Sequence, residues 1–466
     1  MSENNWFVSK KPSSYKLLIF AFVPTVNIAF LFGAYDAVKT SGNTEVILYI
    51  IQGIIGLAFG ITFFAPLWSN LPVSTENDFL NFRYSGKFVM PLKNTRSVLI
   101  GVFVIPLLIS LVIKTPLELL DKFQFSNQWI FLIVFSALTI YGLKNSIRQR
   151  IIFDSIAGIS LAILCLIALV LLAFFPEIDS LKISFHLNTL SSSNIIMAGL
   201  ITWWFANIVD LPDMRAQKLL SAQSSKAGYY SFLVGNGIVM IIQGIFICIY
   251  AIFKSNSYPL VDCICISALF ISGCAQLMNL QHWSGNLMHG LFQKSISNLR
   301  LRNFIPMLIS IGTAYFICFL TDSIFEIIQG ILFFSAGVGP VYVLRWFYFR
   351  INAITQLTAM LSSLLLGIIY ISLNFSGLID FSNFNLFSLS STNTAIFVLG
   401  LTNCLIWGSV MLASQNETEN NFSKERIKQI HSNTRQNLTV KTFQFILTTL
   451  ILLLLFFGPY FLFIGI

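Results

Sequence analysis

Between two apolar runs of this chain stands the stretch WWFANIVDLPDMRAQKLLSA, from Trp203 to Ala222. Asn207, Asp210 and Asp213 stand three residues apart, a spacing at which carboxylates can hold a divalent cation against a diphosphate. That chemistry needs a second acidic cluster at the same depth, and the sequence offers none, so an enzyme is not expected. Pro212 gives a different reason for the polarity. Proline removes a backbone donor and disfavours helical geometry at the residue before it, here Leu211, so the helix should break or restart at this point. Asp210 is placed to cap the segment that follows, whose first turn has unpaired N–H groups and a positive dipole end. Arg215 and Lys218 read as anchors at the membrane interface.

Other polar side chains sit inside apolar runs: Asn27, Gln52, Gln276, Asn279 and Gln281. At membrane depth such groups either bridge helices or line a solute path. Asn279 is read as a bridge between helices, and for Asn27 and Gln52 both readings stand. No Lys or Arg stands at that depth to grip an anion, which favours a neutral or zwitterionic solute. The seven cysteines all fall in apolar segments and read as small buried hydrophobes. They form neither a disulfide framework nor a metal set, and no cofactor is expected.

These residues must be positioned by membrane helices. Hydrophobic residues make up 56% of the chain and charged residues 10%, against roughly 25% charged in soluble domains. Apolar runs of about 18 residues or more recur from end to end, and helices are the element that satisfies its own backbone in lipid. About thirteen spans are expected, among them the first at 15–38, the second at 46–67, the third at 97–113, the sixth at 195–209, the eighth at 260–291 and the tenth at 327–346. With a cytoplasmic N-terminus and an outside C-terminus, only Lys39, Lys114, Lys122, Lys182 and Lys254 of the 28 Lys and Arg fall outside. The positive-inside rule therefore supports the span count and the orientation, and the net charge of +9 implies no nucleic-acid partner. The opening MSENNWFVSKKPSSYK has the basic flank of a signal peptide, but the run after it contains Pro24 and Asn27, so it reads as a retained span. The polar stretch at 414–442 is a cytoplasmic connection, part of it a helix suited to lie on an anionic leaflet.

Two spans are interrupted. The first contains FVPTVNIAFLFGAYDA and the sixth runs into NIVDLPDMRAQ. They lie five spans apart and enter from opposite sides, the pattern of a secondary transporter built as an inverted repeat.

Five segments, in order, are similar to the sodium:solute symporters. STENDFLNFRYSGK (74–87) resembles the T-x-x-E-F-L-x-x-R-(F/Y)-G segment after the second core helix, and YGLKNSIRQRIIFDSI keeps Gly142 and Asp154 of a G-G-x-x-x-V-x-x-T-D-x-x-Q stretch. Trp203 to Gly228 resembles the sixth core helix leading into Q-R-x-x-(small)-A-K-S, with Gln217, Lys218, Ser221, Ala222, Gln223 and Ser224 in those places. ISGCAQLMNLQHWSGNLM resembles the eighth core helix, keeping Ser272 and Asn279, and GPVYVLRWFYFRINAITQL resembles the G-P-V-x-x-L-R-W-(aromatic)3-R-I-N-A signature of a bacterial branch.

The resemblance, covering about residues 10–360, implies an all-α polytopic membrane protein of the leucine-transporter type: a ten-helix 5+5 inverted-repeat core at 1–346 and three accessory helices at 347–466. It implies sodium-coupled import of a small organic solute in a bacterial cytoplasmic membrane. The family's sodium ligands fall on the carbonyls of Thr25, Ile28 and Leu269 and on the paired positions Ser272 and Gly273, where only one hydroxyl survives. Substrate-pathway residues would be Asn27, Gln52, Asp210 and Asp213. The lost hydroxyl leaves a second expectation open, a proton-coupled or transport-inactive homologue serving as a sensor or partner-binding subunit.

Overall fold

A computed structural model describes residues 15–25, 45–122, 137, 147–174, 210–211, 213–253, 259–292, 299–321, 324–375, 391–432 and 438–464. Spans four and six, and the sites Asn27 and Ile28, lie outside the described residues. Among the described residues there are helices and no strands, as expected where each backbone polar group must be satisfied locally. Among the described residues seven helices are long and apolar enough to cross a membrane. Leu166, Phe319, Leu405 and Leu454 are exposed on outward faces, the surface a bilayer would cover.

Helix α1 (Tyr15–Phe22) ends in a 3-10 turn at Val23–Thr25. α2 (Glu45–Phe59) passes through a π-turn (Gly60–Phe64) into α3 (Ala65–Ser69), so the second span is not a uniform helix. A short α4 (Glu76–Arg83) follows, its first turn capped by Thr75, whose hydroxyl accepts from the Asp78 N–H at 3.1 Å. The third span starts earlier than 97: α5 (Val89–Val98) leads through a second π-turn (Leu99–Val104) into α6 (Ile105–Lys122). α7 (Ile147–Phe174), α8 (Met214–Leu220), α9 (Ser225–Phe253), α10 (Pro259–Met288) and α11 (Leu299–Leu320) complete the part that surrounds α1.

The tenth span is not the continuous helix expected at 327–346. It is α12 (Ile324–Ser335) and α13 (Gly339–Leu344), broken at Gly337, whose φ is +76°. Only glycine adopts this backbone without strain, and a Cβ here would also come 2.5 Å from the Gly400 carbonyl. The opened backbone is stitched by the next two helices, α14 (Ala353–Phe375) and α15 (Ser391–Ala413). Ser363 donates to the Phe334 and Ala336 carbonyls at 3.0 Å each, Asn403 Nδ2 to Ala336 at 2.8 Å and Trp407 Nε1 to Gly337 at 3.1 Å. α16 (Glu417–Ser432) and α17 (Leu438–Ile464) close the chain, with α17 packed on α9 and α2.

α1 runs between α7 and α9, and glycines set how closely. A Cβ on Gly158 of α7 would overlap the Phe20 carbonyl, and one on Gly235 of α9 would stand 2.7 Å from the Ile19 carbonyl. Leu18, Ala21, Phe22 and Val23 are fully buried as a result.

Candidate ion site and the closure around the first helix

The turn that ends α1 packs beside α7 and α10. On α10, Leu269 and Ser272 are buried, and the Ser272 hydroxyl lies 3.2 Å from the Leu269 carbonyl oxygen, to which it donates. Gly273 is buried beside them with no side chain to offer. Two of the expected oxygens are thus adjacent. Thr25 lies in the turn, while Gln52 lies on α2.

Below this point α1 is held by polar side chains that reach its carbonyls. Ser155 of α7 donates to Leu17 at 2.7 Å, Ser231 of α9 to Tyr15 at 3.2 Å, and the Lys218 ammonium of α8 to Ala21 at 2.7 Å. The last carbonyls of a helix lack internal partners and carry its negative dipole end, so a cation there is doubly favoured. Lys218 also pairs with Asp154 of α7 at 3.0 Å, and Asp154 with Arg150 at 3.1 Å. Arg150 reaches across to α10, donating to the Ala275 carbonyl at 2.7 Å and to Asn279 at 3.2 Å. Asn279 is therefore the helix bridge its position suggested. Lys218 is not an interface anchor: it is 1% exposed. Burial pulls its ammonium below the usual lysine range, and Asp154 opposes that shift.

A second buried cluster forms at the end of the sixth span. Leu211 has φ +57°, so the chain does break there. Yet Asp213, not Asp210, caps α8: its carboxylate accepts from the Arg215 N–H at 2.7 Å and pairs with the Arg215 guanidinium. Asp210 turns inward, is fully buried, and pairs with Arg345 at 2.7 Å; the Trp346 indole donates to the same oxygen at 3.0 Å. Trp68 Nε1 donates to the Asp210 carbonyl at 2.6 Å. Trp346 stacks on Phe79 at 4.5 Å and meets Trp68 edge-on at 5.0 Å, an aromatic seat from which water is excluded.

Arg83 ties this seat to α13. Its guanidinium donates to the carbonyls of Arg345 (2.6 Å), Tyr348 (3.0 Å) and Ile351 (3.3 Å). Like Lys218, it places a cation on the carbonyl end of a helix. Burial pushes the neighbouring Tyr84 phenol up to about 12, which keeps it a donor to Gln356 Oε1 at 2.8 Å. Arg96 pairs with Glu76, and Trp283 of α10 donates to the other Glu76 oxygen at 3.4 Å. The sequence flagged Asp154, Arg83 and Lys218 as motif positions, but their partners lie up to 268 residues away and were not readable from spacing.

No family model and no curated protein matches the chain. Solved structures do. A sodium-coupled sialic acid symporter, substrate-bound and outward-open, matches with a TM-score of 0.59 at 12% identity, covering 86% of this chain and 92% of that one. A nucleobase-cation-symport-1 family transporter with bromovinylhydantoin bound gives 0.49 at 10% identity, covering 91% and 99%. A manganese transporter of Eremococcus coleocola gives 0.46 at 13% identity, covering 98% and 99%. With the helical architecture above, the first likeness shows the fold: this chain is a multi-pass membrane protein with the leucine-transporter-type fold.

Proposed function

We propose that the chain is a secondary active transporter, a symporter that imports a small organic solute with sodium as the coupling ion, its N-terminus cytoplasmic in a bacterial inner membrane. Residues 1–346 form the transport core and 347–466 the accessory part. The observation that carries the reading is the pair of oxygens on α10 beside the end of α1, 3.2 Å apart. Two ligands at right angles on a hard cation with bonds of about 2.4 Å stand about 3.4 Å apart. Ser272 needs only to turn its hydrogen away. Thr25 and Ile28 would add carbonyls from the opened first helix.

An ion at this place bonds α1 to α10, so it stabilises the arrangement in which α1 is clamped between α7 and α9. Opening towards the cytoplasm requires α1 to leave Lys218, Ser155 and Ser231, and the sixth span to lift Asp210 from its seat. Asn27, Gln52 and Asp213 line the pathway in this reading, and Asp210 acts as its inner latch. Glycine at position 273 favours a second reading, in which a weaker ion site leaves a proton-coupled or non-transporting solute sensor.

The test is thermal stability of the purified protein in sodium against potassium at matched ionic strength. An ion that binds only the folded state raises the midpoint by mass action. A sodium-specific rise that Ser272→Ala removes supports symport; equal midpoints up to high sodium refute it and leave the second reading.

A further inference from the structure

Helix α16 was expected on the leaflet surface, but it packs on the protein, with Ser423 and Ile430 buried. One face meets α4: the Arg426 guanidinium lies 4.9 Å over the Phe82 ring, and the Glu419 carboxylate fills the space above Gly86 where any side chain would stand. A second face meets the residues after α13. His431 Nε2 lies 3.0 Å from the Trp346 carbonyl, its ring is 5.4 Å from that of Phe347, and the Lys424 ammonium is 4.5 Å over Phe349. The root of α16 is fixed as well, since Asn352 donates to the Ser414 carbonyl at 2.9 Å. One helix therefore bridges the segment after the second span and the segment after the tenth. Between them lies the aromatic seat that holds Asp210.

We propose that α16 is an autoinhibitory strap that locks the seat of Asp210 and so holds the cytoplasmic side closed until it detaches. This rests on the alternating-access reading above. Trp346 is the joint: its indole N–H holds Asp210 while its carbonyl meets His431, so a docked α16 fixes the ring that must yield when the sixth span lifts. The contacts on α16 are ring faces, one carbonyl and two buried side chains. Ile430, packed into the main core, is the one apolar side chain that α16 buries, which suits a helix that opens as a local unit.

The experiment is hydrogen–deuterium exchange on the full chain in lipid nanodiscs, following peptides that cover 15–22 and 213–220. The double variant Arg426→Ala/His431→Ala should exchange at least fivefold faster in both segments, with α14 and α15 unchanged. A disulfide-containing bismaleimide bridge between Phe82→Cys and Arg426→Cys, long enough to span the guanidinium-to-ring contact, on a background without native cysteines, should slow both segments, and reductant should restore them. Unchanged exchange in both variants overturns the strap. The Lys218→Met variant separates the two claims. If it speeds α1 while strap variants do nothing, the strap alone is wrong; if it too is silent, the closure reading fails with it. Should the double variant exchange faster in every helix, it has lost its fold and the bridged pair decides.

Discussion

Lys218→Met tests whether the closure is held by charge on the end of α1. The ammonium makes a 2.7 Å bond to the Ala21 carbonyl and a 3.0 Å pair with Asp154. Hydrogen bonds that involve a charged group contribute about 1.5–3 kcal/mol each, and stripping one partner from a buried pair costs about 3–5 kcal/mol. The larger figure does not apply in full, because Asp154 keeps Arg150 at 3.1 Å. Methionine refills the aliphatic volume. The closed arrangement should therefore lose about 2–3 kcal/mol relative to an open one in which water solvates these groups, on the same scale. At 1.4 kcal/mol per tenfold, the opening equilibrium shifts by about 30- to 150-fold. Hydrogen exchange across Tyr15–Phe22 in nanodiscs reads this directly, with α14 and α15 as internal controls. Lys218→Arg, which keeps a cation, should retain most of the protection. Unaltered exchange in Lys218→Met would refute the reasoning, and so would an equal increase in every helix, which would mark Lys218 as a general stability residue.

Further outcomes follow from the same geometry. Gly158→Ala should destabilise the closed arrangement by about 1–3 kcal/mol through overpacking against Phe20, read as a lower thermal midpoint together with faster exchange in α1; a neutral result would show that α1 yields at no cost. Gly273→Ser should restore a hydroxyl next to Ser272 and enlarge any sodium-specific rise in midpoint, whereas a smaller rise would place the ion elsewhere. Gly337→Ala must adopt a positive φ and press on Gly400, a cost of about 1–3 kcal/mol, visible as a lower midpoint. Burial, with a further contribution from Lys441, holds the His431 imidazole below its ordinary range, opposed by the Trp346 carbonyl. A lowered folded-state value means the undocked ring binds protons more readily, so docking is fully stable above about pH 6.5 and weakens as pH falls below it. Exchange in α16, corrected for its intrinsic pH dependence, should rise from pH 7.5 to 5.5 in the native chain and not in His431→Gln; an opposite slope would refute the assignment.

The sequence made the membrane class legible because hydropathy is a sum over many residues and survives local surprises. The break in the tenth span was not read, although FSAGVGP carries two glycines and a proline, since the run around it is as apolar as any intact span. What fixes the break is the set of donors on Ser363, Asn403 and Trp407, which arrive from later helices. At DLPD the error was one of choice. Either aspartate could cap α8 by local chemistry, and the decision belongs to Arg345 and Trp346, 135 and 136 residues further along the chain. Lys218 was misread for the same reason: a lysine at the foot of a membrane helix usually snorkels to water, and this one finds Asp154 instead. Asn279 was read correctly as a bridge, and its partners, Arg150 and Asp154 of α7, came only with the structure.

The stitched break at Gly337 bears on how the chain is made. Segments enter the bilayer in order of synthesis, so α12 and α13 arrive before α15 exists. During that interval the carbonyls of Ala336 and Gly337 have no Asn403 or Trp407 to meet, and in lipid each such group costs several kcal/mol. The tenth span must then wait near the translocation pore or as a transient unbroken helix, and its kink is installed only when the twelfth span docks. Completion of the tenth span is thereby made conditional on a later helix, and a chain truncated before Asn403 should be cleared by membrane quality control as unfinished.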